Sequence, residues 1–457
     1  MARGTRVTKN SKKGENMLGV VTGKAIYKLE KALHFGGTTM PGRVVLKFFP
    51  KTMKSLKYPE NVIMVTGSCG KGSTTKLITE VLERAGMKVC CNRDGANQWE
   101  GVATTIMNQT KGDTVQADAL VLEVDERYLK LVIRFLRPKY LVINNITRDQ
   151  PPRQGDYDIV YGEIMKGIAP DTHLIVNGDD PILRKFSLSH RGPITYFGIE
   201  KTKNSYEWMD DIKDYLYCPK CGHRMDFDYF HYGSVGSYSC PECGFKRENI
   251  SYSVTDVDYE NDQITVNGED RIKVSSHVLF NLYNTIGAYA VCDILGIDRK
   301  TTVAALSDDQ IMGKIYDEFT VNDRKYTILN CKAENNSTYN LALLYAEADN
   351  GSAGPKTIVL GHREISRRYV HFDLSWLYDI NFEMLSPEDY VVCTGPNALD
   401  FAVRAKLAGI KEENIIVRDD MTGIRQVVEE KTKGNVYGVL NFDYVEPFRK
   451  GIKEETK

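Results

Sequence analysis

Short, continuous apolar runs set the rhythm of the chain. NVIMV (61–65), ALVLEV (119–124), KYLVINNI (139–146) and THLIVNG (172–178) read as strands buried on both faces. Between the first two, TTKLITEVLERAG (74–86) places Leu77, Ile78, Val81, Leu82 and Ala85 on one helical face and stops at Gly86. Strands alternating with helical segments predict a mainly parallel sheet. Upstream, residues 17–34 carry helix-compatible apolar spacing, broken by GGTTMPG (36–42). Residues 205–250 interrupt the alternation with cysteine pairs and many tyrosines. From about residue 320 it resumes, in KTIVLG (356–361), DYVVCTG (389–395), NIIV (414–417) and NVYGVLN (435–441). The expected organisation is α/β: a basic tail and helix over 1–55, a central domain over 56–315 with an insertion at about 205–250, and a Rossmann-like domain over 316–457.

Composition changes this picture little. A chain of 457 residues calls for two or three domains, and 42% apolar with 26% charged residues is ordinary for a globular protein. A net charge of −1 gives no electrostatic reason for a nucleic-acid partner. No apolar run approaches the roughly 20 residues of a membrane span. The N-terminal MARGTRVTKNSKKGEN lacks the apolar core of a signal peptide. It reads as a frayed, solvated tail, with a weak attraction to anionic lipid as its functional alternative. A cytoplasmic protein is expected, and its ten cysteines are not expected to pair as disulfides. Six of them are scattered and read as small buried hydrophobes.

The other four carry chemistry. Cys218 and Cys221 precede Cys240 and Cys243 by eighteen residues, each pair inside a CPxCG turn. Each turn can place two thiolates on one ion, so the four form a closed tetrahedral site for structural Zn²⁺, a zinc ribbon. His223 and His231 lie near it but are not needed as ligands, and surface positions are expected for both.

VTGSCGKGSTT (65–75) poses a different question. The usual P-loop needs a Gly five residues before the Gly of Gly-Lys, and Val65 stands there. The order of strand, Gly-rich loop and helix nevertheless suits an anion, because loop amides and the helix N-terminus point at it.

The stretch G-S-C-G-K-G-S-T (67–74) resembles the shorter phosphate loop of the Mur ligases and folylpolyglutamate synthases, G-T-N-G-K-[TG]-[TS]-T. NRDGANQWEGVATT (92–105), LVLEVDE (120–126), NNITRDQ (144–150), VNGDDP (176–181) and LFNLYNTIGAYAV (279–291) resemble further segments of that family, in that order. PGRVVLK (41–47), the ribbon and DLSWLYD (373–379) are similar to features of its MurT subgroup, the ATP-using subunits of lipid II isoglutaminyl synthase. The resemblance spans about 36–447 and implies a Mur ligase-type central ATP-binding domain. It places Gly67, Gly70, Lys71, Ser73, Thr74 and Asn97 at the ATP phosphates, with Glu123 on Mg²⁺. Asn281, Asn284 and Lys314 fall near the nucleotide. The implied reaction amidates the D-glutamate α-carboxylate of the lipid II stem peptide through an acyl phosphate. Ammonia comes from a separate GatD-like glutaminase, and the work is done at the inner face of the membrane. Asp373 is the implied catalytic aspartate, set against its plainer reading as a helix cap; Asp379 is the fallback.

Several positions depart from the subgroup. Ser68-Cys69 replaces Thr-Asn, and Gly72-Ser73 follows the lysine as in the folate ligases. CKAENN (331–336) keeps only Lys332 and Asn335 of K-N-P-A-G, Lys314 stands for an Arg, and Pro396-Asn397 replaces another. A point charge at 314 keeps the sign but not the bidentate fork. Two rival functions follow: an amino-acid ligase of the same fold that needs no glutaminase, and a non-catalytic scaffold subunit.

Overall fold

The structure is a computed structural model, and it describes residues 4–34, 38–93, 95–147, 156–207, 215–247, 250–308, 316–331, 336–351, 353–362 and 374–453. Lys314, Lys332, Asn335 and Asp373 lie outside the described residues.

A nine-stranded sheet organises the central region. Asn61–Thr66, third from one edge, pairs in parallel with Ala119–Glu123 on one side and Tyr140–Ile143 on the other. Val89–Cys91 closes one edge, while His173–Asn177, Ile194–Ile199 and Tyr252–Asp258 extend the other in parallel. Gln263–Val266 and Asp270–Lys273 finish it as antiparallel strands. The alternation of side chains along Asn61–Thr66 divides the core in two. Ile63 and Val65 face the helices Lys71–Arg84 and Leu279–Ile294. Val62 and Met64 face the other side, against Val20, Val45, Met53 and Val102.

That second face carries the N-terminal helices, Gly4–Ala32 and Met40–Phe48. They share a core with the central sheet, so a division at 55/56 cuts through continuous packing. Gly42 marks how closely they sit: a Cβ there would meet the Glu100 carbonyl oxygen at 1.9 Å. The helix also begins at Gly4, inside the segment read from sequence as a frayed tail. Once a turn has formed, each added residue costs little, and the packed half nucleates the rest.

The insertion forms an antiparallel hairpin, Asp226–Tyr232 with Val235–Ser239, over a small core of Met225, Tyr238 and Phe245. The C-terminal sheet runs Tyr316–Val321, Arg324–Asn330, Val436–Leu440, Thr357–Gly361, Tyr390–Thr394, Ile415–Arg418. Its last five strands are parallel.

Candidate functional site

The phosphate loop leaves the C-terminal end of Asn61–Thr66 and enters the helix Lys71–Arg84 at Gly70. Gly70 has φ 79°, and a Cβ there would strike Asn284 Oδ1 at 2.2 Å, so glycine is required twice over. Asn284 projects from the buried helix Leu279–Ile294 and ties the loop down. Its Oδ1 accepts from the Thr74 hydroxyl at 3.1 Å, and Asn144 Nδ2 donates to the same hydroxyl at 2.9 Å. Thr74 is fully buried and engaged within the protein, whereas Ser73 is half-buried one position nearer the helix N-terminus. Asn145 grips the loop from the next strand, accepting from the Cys69 amide at 2.8 Å and donating to the Cys69 carbonyl at 3.2 Å. Asn281, on the first turn of its helix, donates to the Ser276 carbonyl at 2.7 Å, and its buried Oδ1 accepts nothing.

Lys71 and Glu126 form the charged centre of the loop. Lys71 Nζ lies 2.9 Å from Glu126 Oε1, which also accepts from the Gly67 amide at 3.2 Å. Glu126 is fully buried, and burial pushes its carboxyl above the usual range while the Lys71 ammonium opposes that rise. Its Oε2 has no hydrogen-bond donor. The sequence resemblance singled out Glu123 in LVLEVDE and passed over Glu126. The available signal was a second carboxylate just beyond the strand end, but strand periodicity stops at Glu123 and could not orient it.

Glu123 closes the other side. Its Oε1 accepts from Asn97 Nδ2 at 2.9 Å, and its Oε2 lies 3.1 Å from where a Gly72 Cβ would stand. Asn92 holds the strand end in place, accepting from the Glu123 amide at 2.9 Å and donating to its carbonyl at 2.8 Å. Gly67, Gly70, Lys71, Ser73, Asn97, Glu123 and Asn284 are thus gathered around one helix N-terminus. The set suits an anion and a hard cation: the amides of a helix's first turn, an ammonium and a carboxylate supported by an amide.

The four cysteines come together as a second, separate site. All four Sγ atoms lie within 4.8 Å of one another, with Cys218 to Cys243 and Cys221 to Cys240 each at 3.5 Å. Each CPxCG turn closes on a left-handed glycine, Gly222 at φ 78° and Gly244 at φ 69°. The Lys220 amide points at Cys218 Sγ at 3.4 Å, the kind of donor a thiolate ligand accepts. The set fits tetrahedral Zn²⁺ with no position left for water. His223 is exposed, but His231 is buried, bonded to the Ser205 hydroxyl at 3.1 Å and the Ile199 carbonyl at 3.0 Å. It lies on the inner side of the hairpin, where the ribbon meets the sheet, so the expected surface position does not hold for it.

Asp179 of VNGDDP anchors that junction. Completely buried, it takes Arg247 Nε at 2.7 Å, the Ile199 amide at 2.7 Å and the Tyr283 hydroxyl at 2.8 Å. In the C-terminal domain, the described part of DLSWLYD is a short helical turn, Ser375–Asp379, with Trp376 buried against Tyr339 and His362.

Two family matches bear on this arrangement. The Mur ligase middle domain matches residues 65–224, and the MurT ligase C-terminal domain matches 335–443, between them more than half of the chain. The fold agrees: a pseudomurein peptide ligase type C from Methanothermus fervidus superposes with a TM-score of 0.65 at 18% identity, covering 90% of this chain and 84% of that one. The chain belongs to the Mur ligase family and is a ligase. Within that family it stands with the MurT subunits. It is 27% identical to the MurT subunit of lipid II isoglutaminyl synthase (glutamine-hydrolyzing) from Staphylococcus aureus strain N315, over 93% of this chain and 94% of that protein. The subunit of the same name from Streptococcus pneumoniae R6 is 25% identical over 94% and 96%.

Proposed function

We propose that this chain uses ATP to activate a carboxylate and transfers it to ammonia. The substrate is the D-glutamate α-carboxylate of the lipid II stem peptide, converted to D-isoglutamine at the inner face of the membrane. The observation that carries the reading is the joint placement of Lys71, Glu123 and Asn97 at one helix N-terminus, in a chain similar to MurT subunits over nearly its whole length. A carboxylate oxygen attacks the γ-phosphorus and ADP leaves. Ammonia then attacks the acyl carbon, phosphate departs with one former carboxylate oxygen, and a proton is released. The protein's part is positioning and charge neutralisation. Lys71 would turn from Glu126 to the phosphates, while the loop amides hold their oxygens. Glu123 and Ser73 would hold Mg²⁺, which when bound offsets the charge of the phosphates.

Ammonia would come from a GatD-like glutaminase subunit. Asp373 is proposed to orient the partner's histidine or the ammonia, and Trp376, three residues on, anchors the segment in the core. Lys314 is proposed to sit near the nucleotide. The amino-acid ligase rival drew support from Gly72-Ser73; a Cβ at 72 would meet only the tip of the Glu123 side chain, at 3.1 Å, so the support it draws is unchanged.

The test follows an oxygen label in the acceptor carboxylate, with Mg-ATP and ammonium supplied. One label should pass to inorganic phosphate as the amide forms, and Lys71→Ala should lower the rate at least a hundredfold, the scale of a lost transition-state charge contact. Amide formation without label transfer would overturn the acyl phosphate route.

A further inference from the structure

The first 57 residues contain thirteen basic and two acidic side chains, a net charge of +11 in a chain whose other 400 residues carry −12. Most of this charge falls within the helices Gly4–Ala32 and Met40–Phe48, which the ligase site does not use. The helix Gly4–Ala32 has two opposed faces over its described side chains. Gly19, Val20 and Gly23 are buried against the body, and a Gly19 Cβ would meet Thr52 Oγ1 at 2.2 Å. On the far side Leu18, Val21, Ala25, Leu29 and Ala32 recur at spacings of three and four, a single helical stripe. Leu18, Val21 and Leu29 are each more than half exposed, as is Leu33 just beyond. Beside them Lys28 and Lys31 are exposed, as are Lys47, Lys51 and Lys54 on the following segment. None of the five forms an ion pair with a described residue.

An apolar stripe flanked by unpaired lysines matches a surface that is apolar within and anionic at its face. A second copy of this chain would bring its own +11 against the same charge. We propose that the N-terminal helix is a membrane-docking surface, lying in the interface of an anionic bilayer with Leu18, Val21 and Leu29 among the acyl chains and the lysines at the phosphates. The proposal goes beyond the amidation reading and does not depend on Lys71.

The test is co-sedimentation of the full chain with phosphatidylglycerol-rich vesicles at physiological salt, against phosphatidylcholine vesicles. Wild type and Lys71→Ala should both bind the anionic vesicles and leave the neutral ones. Lys28→Glu/Lys31→Glu/Lys47→Glu should weaken binding on the order of a hundredfold or more, about fivefold per lysine lost near the surface. Leu18→Ser/Val21→Ser/Leu29→Ser should weaken it at least tenfold while moving the thermal midpoint little, since these side chains are more than half exposed. Wild type remaining in the supernatant would overturn the proposal, as would vesicle binding indifferent to both variants. A serine variant that turned a dimer into a monomer, with no vesicle binding by wild type, would make the stripe a self-association face instead.

Discussion

At the level of single side chains, Lys71 of the phosphate loop is paired with the buried Glu126. A lysine bonded to a buried carboxylate must leave it to reach phosphate, so the pair should tax nucleotide binding. Glu126→Gln keeps an acceptor for the Gly67 amide but removes the charge. It should lower the thermal midpoint of the free protein and tighten Mg-ADP binding roughly tenfold, the worth of one charged hydrogen bond. Titration calorimetry showing unchanged or weaker affinity would contradict this role. A second single-residue effect concerns acid stability. Burial holds His362 down at about 4, against about 6.5 in the unfolded chain. Between those values the unfolded chain binds a proton that the folded protein does not, so stability falls as pH drops through the window. The loss is complete below about pH 4. His362→Gln should flatten the pH dependence of urea unfolding between pH 4 and 6.5 by close to one proton; an unchanged slope would rule His362 out as its source.

Among the elements, the ribbon is fastened to the sheet by Arg247 on Asp179 and gathers four cysteine Sγ atoms at its far end. Removing one partner of a pair whose carboxylate is fully buried leaves an uncompensated charge. Arg247→Met should therefore cost about 3 kcal/mol in urea unfolding, and a change under about 0.5 kcal/mol would place the anchoring elsewhere. Chelation should open residues 215–247 to protease while the central sheet stays protected, because a core this small would depend on a metal held by the four cysteines. Loss of protection throughout would mean the ribbon supports the whole domain. The gathering of the four cysteines was fully legible in the sequence, since CPxCG turns encode their own geometry. The buried runs were as clear: NVIMV, ALVLEV and NVYGVLN all became strands within a residue or so. What the sequence hid were groups fixed by distant packing. Glu126 and Asn144 are polar residues just past strand ends, where no local period says which way a side chain points. His231 looked like a surface residue because nothing local shows the hairpin folding back on the sheet.

For the whole molecule, two α/β sheets divide the labour. The central one presents a helix N-terminus whose chemistry suits an anion and a hard cation, and the C-terminal one brings the Ser375–Asp379 turn, with Trp376 in its core. The N-terminal helices complete the central core on one side and turn an apolar, basic face outward on the other. In this reading one chain holds nucleotide and acceptor, and leaves nitrogen release to its partner. The direct test of that division incubates the full chain alone with Mg-ATP, lipid II and either ammonium or a mixture of amino acids, reading products by mass. Ammonium alone should suffice, converting one carboxylate of the stem peptide to a primary amide, with free glutamine inactive until a glutaminase is added. ATP turnover only with an amino acid, and a stem peptide lengthened by one residue, would contradict the account and make this chain a peptide-forming ligase.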